Sequence, residues 1–421
     1  MSNDNLSADW ASEIGGALNA MAATTNAIYV GGSFNSIGGE RRSGLAVLDE
    51  LSGQILPWNP SLRLEGTNET VGSVFSTVYS EQRLYVGGEF TKVGGLARTN
   101  LVAVHADTGE VLPWSPNPNG VVEVVHVGAG RLFVGGTFQS VGGVTRTNLA
   151  SLDLNTGAVG DLAPNPNGTV FALTATEQVL YVGGNFNSLS ARQRFNLGAV
   201  NLATGAVTPW NPFAQGEVRA LALDGSRIFV GGAFASIGSQ FRTNLAALDV
   251  RTGLATDWVT PTDRTVEMLR IMNGYLFVGG QFGSVNGQAR NRLAALSLTN
   301  ASDFGWAPAF NNQVFSVALV EGGTYYVGGS FTTATGANVQ GFAVFPPFGV
   351  HSLALSREAT NRLQLRIKGN AGERHVIQSS TNLIDWVSLV TNSAGLPNFS
   401  FALNITGVAT NRYYRSFLPK Q

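Results

Sequence analysis

The chain has 421 residues, a formal net charge of −1, 13% charged residues, 52 glycines and no cysteine. So balanced a charge supplies no field to draw in nucleic acid or an anionic membrane, and the missing cysteines exclude disulfides, thiolate metal sites and a cysteine nucleophile together. The length leaves room for two domains. From residue 349 onward 8 Lys and Arg stand against 3 Asp and Glu, which makes that part +5 and the rest −6, but its basic residues are scattered as on a solvated surface. The start, Met1-Ser2-Asn3-Asp4, has neither the basic nor the apolar part of a signal peptide, and no apolar run is long enough to span a bilayer.

In chain order, the phrase Ile28-Tyr29-Val30-Gly31-Gly32-Ser33-Phe34 returns at 84–90, 132–138, 180–186, 228–234, 276–282 and 325–331. The first glycines, 31, 87, 135, 183, 231, 279 and 328, follow one another at spacings of 56, 48, 48, 48, 48 and 49, which is the self-similarity of stacked supersecondary units. Residues 169–216 carry one whole repeat. Its alternation of apolar and polar residues predicts strands over 170–173, 179–186, 196–202 and 206–210. Between the third and fourth strands lies Asn201-Leu202-Ala203-Thr204-Gly205, echoed at 49–53, 153–157 and 249–253, a turn in which Asp or Asn bonds the backbone ahead and glycine accepts positive φ. Four antiparallel strands per repeat predict an all-β, seven-bladed β-propeller.

The seventh repeat lacks a fourth strand. Trp114, Trp210 and Trp258 stand at one constant spacing before Gly135, Gly231 and Gly279, and Trp10 stands at that same spacing before Gly31. Residues 6–13 are therefore expected to supply the outer strand of the last blade and close the ring.

The blades resemble the delta-60-type repeats of bacterial secreted and surface proteins, with the consensus V-G-G-x-F-x-x-V-G-G-x-x-R-x-N-L-A-x-L-D-x-x-T-G nearly intact at 134–157 and 230–253. The resemblance covers residues 6–347 and implies a propeller without an assigned reaction. Departures are Leu162 in place of the third tryptophan, the drift at Asn300-Ala301, and Val339 where other repeats carry arginine. After Pro346-Pro347 the texture changes, and the runs Ile377-Gln378-Ser379-Ser380-Thr381-Asn382-Leu383-Ile384-Asp385-Trp386 and Arg412-Tyr413-Tyr414-Arg415 resemble a small C-terminal β-sandwich module of exported bacterial proteins. The expected domains are residues 1–347, the propeller, and residues 348–421, an accessory sandwich. This resemblance implies an extracellular or cell-surface protein whose signal peptide is absent from the chain.

Little in the sequence carries chemistry. His105, His126, His351 and His375 have no partners at metal-binding spacing, and neither a nucleophile elbow nor a phosphate loop occurs, so no metal, cofactor or catalytic residue is expected. Arg42, Arg98, Arg146, Arg194, Arg242 and Arg290 recur at one fixed place after the first glycine of their repeats, and are expected to satisfy local carbonyls or carboxylates rather than form an anion site. One repeated position is not uniform. After the repeated valine of the innermost strand the repeats offer Asn19, Phe75, Glu123, Phe171, Arg219, Glu267 and Phe315, a mixture of rings and polar groups expected to meet at the channel mouth as a ligand site. The connection from Trp58 to Gly87 is longer than its counterpart from Trp114 to Gly135, and its extra stretch within 61–71 adds Arg63 and Glu65 to the candidate binding residues.

The expected function is an extracellular binding or scaffold protein taking a glycan or a protein partner on the loop face. The alternatives are a carbohydrate-active hydrolase or lyase using channel-mouth carboxylates such as Glu123 and Glu267, and a structural subunit that self-associates.

Overall fold

In this computed structural model the described residues are 13–50, 52–65, 70–320 and 324–345, and in the remainder 352–359, 362–368, 376–381, 386–391, 398–404 and 413–417. Residues 6–12 of the expected closing strand, Trp10 among them, and His351 and His375 lie outside them. The chain divides into two compact units, Met1–Phe345 and Pro346–Gln421.

The first unit repeats one antiparallel meander. In the third repeat the inner strand Val121–Gly128 pairs with the middle strand Arg131–Thr137, which pairs with Leu149–Asp153. The same order recurs from Ile14–Ala23, Ala27–Ile37 and Leu45–Asp49 in the first repeat to Val314–Leu319, Tyr325–Gly329 and Phe342–Phe345 in the seventh. Middle strands pass between two neighbours and are buried along nearly their whole length, so they read as continuous apolar runs rather than alternating ones. After each middle strand comes a two-residue ribbon, such as Ser140–Val141 against Val144–Thr145. Its turn, Gly142-Gly143, has φ of 57° and 76°, the pair of positive values that a two-residue hairpin demands.

The fourth strand is shorter than the sequence predicts. It reduces to one bridge in each of the first six repeats, such as Val200↔Val207 in the fourth and Val104↔Val111 in the second. In the first two repeats the last donors to the third strand are Leu56 and Leu112, and in the fourth Thr208, which reach the carbonyls of Val47, Ala103 and Ala199. Pro57, Pro113 and Pro209 follow directly, and a residue without N–H marks where the chain leaves the ladder.

The Gly-Gly pair is explained by space. The first glycine faces the next repeat: a Cβ on Gly87, Gly135 or Gly183 would lie 2.5 Å from Cγ1 of Val122, Val170 or Val218. The second faces its own inner strand, where a Cβ on Gly232 would overlap the carbonyl of Glu217. Sheets so closely apposed bury the repeated phenylalanines, Phe34, Phe90, Phe138, Phe186, Phe234, Phe282 and Phe331, each contributing about 1.5–3 kcal/mol as an upper estimate. The first and seventh repeats share one apolar cluster, with Ile14, Leu18 and Ile28 against Ala318, Tyr326 and Phe342.

The arginine series is structural. Arg98 donates to the carbonyls of Ala97 and Leu112 at 2.8 and 3.0 Å, Arg146 to those of Thr145 and Gly160, and Arg290 is paired with Asp303 at 2.6 Å. The described flanks of the insertion near residue 63, Leu62–Leu64 and Thr70–Val71, are strands that extend the second repeat's ribbon to four, and Leu62 is fully buried.

The second unit contains two three-stranded antiparallel sheets. One is Ser352–Ala359, Arg362–Lys368 and Asn398–Asn404; the other is Val387–Thr391, Val376–Ser380 and Tyr413–Phe417. Leu365 of one and Ile377 of the other belong to the same small core.

Candidate functional site

Every inner strand has a β-bulge, and the extra residue is the non-uniform one. Register skips between Leu18 and Ala20, Val74 and Ser76, Val122 and Val124, Val170 and Ala172, Val218 and Ala220, Val266 and Met268, and Val314 and Ser316. The residues passed over are Asn19, Phe75, Glu123, Phe171, Arg219, Glu267 and Phe315. A bulge leaves its extra residue out of the ladder and re-aims the side chain. The glycine pair stands opposite it, as in Val218↔Gly232 and Ala220↔Gly231, and its second member makes room for the carbonyl two residues before the bulge residue, that of Glu217.

The structure brings six of these seven residues to one cavity of about 230 Å³: Asn19, Phe75, Phe171, Arg219, Glu267 and Phe315 line it together with Arg270. Glu123 stands outside that wall but close enough for its carboxyl to feel Arg219. Burial pushes the Glu123 pKa above the usual carboxylate value; Arg219 pulls it down and Glu89 adds to the rise. Arg63 and Glu65 do not join the cavity. They lie in the extended ribbon, where Glu65 is paired with Lys92. Ribbon and bulges nevertheless share one end of the repeat, because each inner strand starts where its middle strand ends, as in Ser73↔Glu89, and the ribbon follows at Lys92.

Arg219 is the centre of the polar groups. Its Nε and Nη2 donate to Glu217 Oε2 at 3.0 and 2.6 Å, its Nη1 donates to Glu267 Oε2 at 3.3 Å, and its guanidinium lies 5.0 Å from the Phe171 ring centroid. Burial opposes its charge, but Glu267 and Glu217 outweigh burial and raise its pKa. Gln281 Nε2 donates to Glu267 Oε1 at 2.7 Å, Asn185 Nδ2 to Glu217 Oε1 at 2.9 Å, and Asn19 Nδ2 to the Val74 carbonyl at 2.9 Å. A guanidinium held by two carboxylates is a poor receptor for a further anion; it is a rigid platform with donor and acceptor edges.

Sequence reasoning missed Glu217, Asn185, Gln281 and Arg270. Asn185 and Gln281 occupy the variable place in V-G-G-x-F, whose residues Ser33, Glu89, Thr137, Asn185, Ala233, Gln281 and Ser330 vary as the bulge residues do, a signal that was available. Arg270 has no hydrogen-bond or ion-pair partner among the described residues; it borders the cavity, and the protein crowded around its guanidinium lowers its pKa by desolvation. His126, further along the third inner strand, is likewise lowered by burial. His105 takes the place of the turn aspartate, its Nδ1 accepting the Asp107 N–H at 3.2 Å.

Residues 130–155 match a family described as a domain of unknown function (DUF5122) beta-propeller. No curated protein matches the chain. Among solved structures the chain is similar to the computationally designed Ika8 protein, with 14% identity and a TM-score of 0.47 over 85% of this chain and 94% of that one. It is also similar to the WD40 domain of Neurospora crassa Pan2, with 11% identity and a TM-score of 0.38 over 62% of this chain and 86% of that one. The match at 130–155 falls on a repeat of the meander described above, and the repeat region is an all-β fold of β-propeller type.

Proposed function

We infer that the chain is a seven-bladed propeller with a small C-terminal β-sandwich, and that it is an extracellular binding protein recognising a glycan at the bulged end. The observation that carries the reading is the convergence of Phe75, Phe171 and Phe315 with Asn19, Arg219 and Glu267 on one cavity. Aromatic faces cover the C–H faces of a sugar ring, while paired carboxylates, amides and a guanidinium meet its hydroxyls. The shared core of the first and seventh repeats supports a closed ring of blades. Secretion and the accessory role of the C-terminal unit rest on the resemblance of their sequence motifs alone.

A hydrolase is the second reading, favoured by Glu123, whose raised pKa is the property a general acid needs. A glycan array probed with the full chain, beside a reducing-sugar assay on the glycans retained, separates the two. Binding is expected without turnover, and a Phe171→Ala, Phe315→Ala variant should bind at least about tenfold more weakly. Retention of no glycan, or equal retention by the variant, sinks the binding reading. Turnover lost in Glu123→Gln establishes the hydrolase instead. Self-association, the remaining possibility, is read from light scattering on the same sample.

A further inference from the structure

At the strand ends opposite the bulges, the third repeat lacks a ring that its neighbours have. Trp114, Trp210 and Trp258 are buried, and each indole N–H donates to a backbone carbonyl of the next repeat, that of Asp153, Asp249 or Ser297, at 3.0–3.2 Å. Each indole also meets an aromatic ring edge to face: Trp114 with Tyr85 at 5.4 Å, Trp210 with Tyr181 at 5.1 Å, Trp258 with Phe229 at 5.0 Å. The next turn closes over it, so that a Cβ on Gly157 or Gly253 would lie 3.1 or 3.3 Å from the indole nitrogen. The third repeat has Leu162 here, with neither ring nor donor, and the nearest atom to a Cβ on Gly205 is Leu162 Cδ1 at 3.9 Å.

Two more departures fall on the same place. Where other repeats carry Val47, Ala103, Ala199, Ala247 and Ala295, the third has Ser151; where they carry Leu56, Leu112, Thr208, Thr256 and Phe304, it has Gly160. Ser151 is fully buried, its Oγ has no hydrogen-bond partner among the described residues, and it points at Gly160, 2.6 Å from where a Cβ would lie. A buried hydroxyl left unpaired is uncommon and calls for an explanation. Ser151, Gly160, Leu162 and the turn 202–205 line a cleft of about 520 Å³, with exposed Arg131, Asp153 and Asp161 around it. That volume is in the range of small-molecule sites.

We propose that this cleft binds a planar aromatic heterocycle with a ring N–H, which takes the place of the missing indole. By the repeat's own pattern the ring lies against Leu162, which covers Phe133, beneath the turn 202–205, and its N–H donates to the Asn201 carbonyl, the counterpart of those of Asp153 and Asp249. That carbonyl already accepts the Gly205 N–H at 2.9 Å, as the Asp153 carbonyl accepts the Gly157 N–H beside Trp114, so the second lone pair is the one used. Polar substituents on the ligand meet exposed Arg131 and Asp161. The site is independent of the glycan reading, since it lies at the other end of the strands.

The test titrates the full chain with indole as probe, followed by ligand-observed NMR and calorimetry. Saturable binding is expected, weakened at least about tenfold by Leu162→Trp, which refills the cleft, and also by Gly160→Leu, which uses a side chain found there in other repeats. 1-Methylindole, unable to donate, should bind several-fold more weakly. Absence of saturable binding, or equal binding by both variants, overturns the site, and equal binding of 1-methylindole overturns the assigned N–H contact. Competition by N-acetyltryptophanamide would assign the ring to a tryptophan side chain of a peptide and its failure to a free heterocycle; both outcomes support the cleft.

Discussion

Gly328 of the seventh repeat lies against Leu18 of the first, so closely that a Cβ on the glycine would overlap Leu18 Cδ2. It is the contact that Gly31 makes with Val74 and Gly231 with Val266, each at 2.5 Å, carried from the last repeat back to the first. The Ile14 N–H donates to the Gln340 carbonyl at 3.1 Å, and the Tyr326 hydroxyl to the Glu50 carbonyl at 3.3 Å, across the same boundary. Leu18→Ala should therefore destabilise the chain as a core truncation does, by about 2–5 kcal/mol in urea unfolding. A loss below about 1 kcal/mol, the range of a surface substitution, would show that the two repeats do not depend on each other.

The asparagine before the third strand in the second to fifth repeats is a second coupling. Asn244 has φ of 63°, and its Nδ2 donates to the Thr262 carbonyl at 3.0 Å, tying one repeat to the connection into the next. Asn100, Asn148 and Asn196 make the same bond, to the carbonyls of Pro118, Pro166 and Ala214. Asn244→Gly keeps the backbone and loses the bond, at about 1 kcal/mol. Asn244→Ala loses both, adding about 1–2 kcal/mol for a side chain in the left-handed region. Equal melting temperatures for the two variants would refute the conformational part.

The glycine pairs and their spacing made the repeat legible because they answer two steric demands, the side chain of the next repeat and a carbonyl of their own inner strand, that leave no alternative residue. The bulge residues were legible for the opposite reason: nothing in the packing constrains them, so Asn19, Phe75, Glu123, Phe171, Arg219, Glu267 and Phe315 differ. The network around Arg219 was less so: Glu267 comes from the next inner strand with Gln281 behind it, and even Glu217, two residues away on the same strand, bonds Arg219 only because the bulge breaks the alternation of faces. The fourth strand was overread, since its alternation is genuine but the prolines after Leu56, Leu112 and Thr208 end the ladder after one bridge.

Glu123 gives a pH signature. Its folded pKa lies above the ordinary value near 4.5, because burial disfavours the charged form. Between that value and the folded pKa the unfolded chain binds fewer protons than the folded one, so stability falls as pH rises through the window. Glu123→Gln removes the effect. The variant should melt at a higher temperature than the parent at pH 7, with the difference closing near pH 4. His126, lowered by burial, acts in the opposite sense below pH 6.5 and is present in both proteins, so it cancels in the comparison. A difference that grows toward acid would contradict the assigned cause.

The extended ribbon separates binding from stability. Residues 63–65 add paired backbone to the ribbon: Arg63 pairs with Val71 and Lys92, its carbonyl accepts the Thr91 N–H at 2.8 Å, and the Glu65 N–H donates to Thr91 Oγ1 at 2.8 Å. The Lys92–Glu65 ion pair is half-exposed, a kind worth about 0–1 kcal/mol. Leu62, the one fully buried side chain of the strand that precedes the excised stretch, stays in place if 63–69 is replaced by a short Gly-Ser link. The replacement is expected to cost about 1–2 kcal/mol, the sum of one or two exposed backbone bonds. Because the ribbon stands at the bulged end, the same change should weaken glycan binding several-fold if the ligand extends beyond the cavity. Unchanged affinity with the expected small loss in melting temperature would confine the ligand to the Phe75, Phe171 and Phe315 wall. A large loss of stability would mean that the insertion holds the second repeat together, and Arg63→Ala with Glu65→Ala, which leaves the ladder intact, then becomes the variant that reads binding alone.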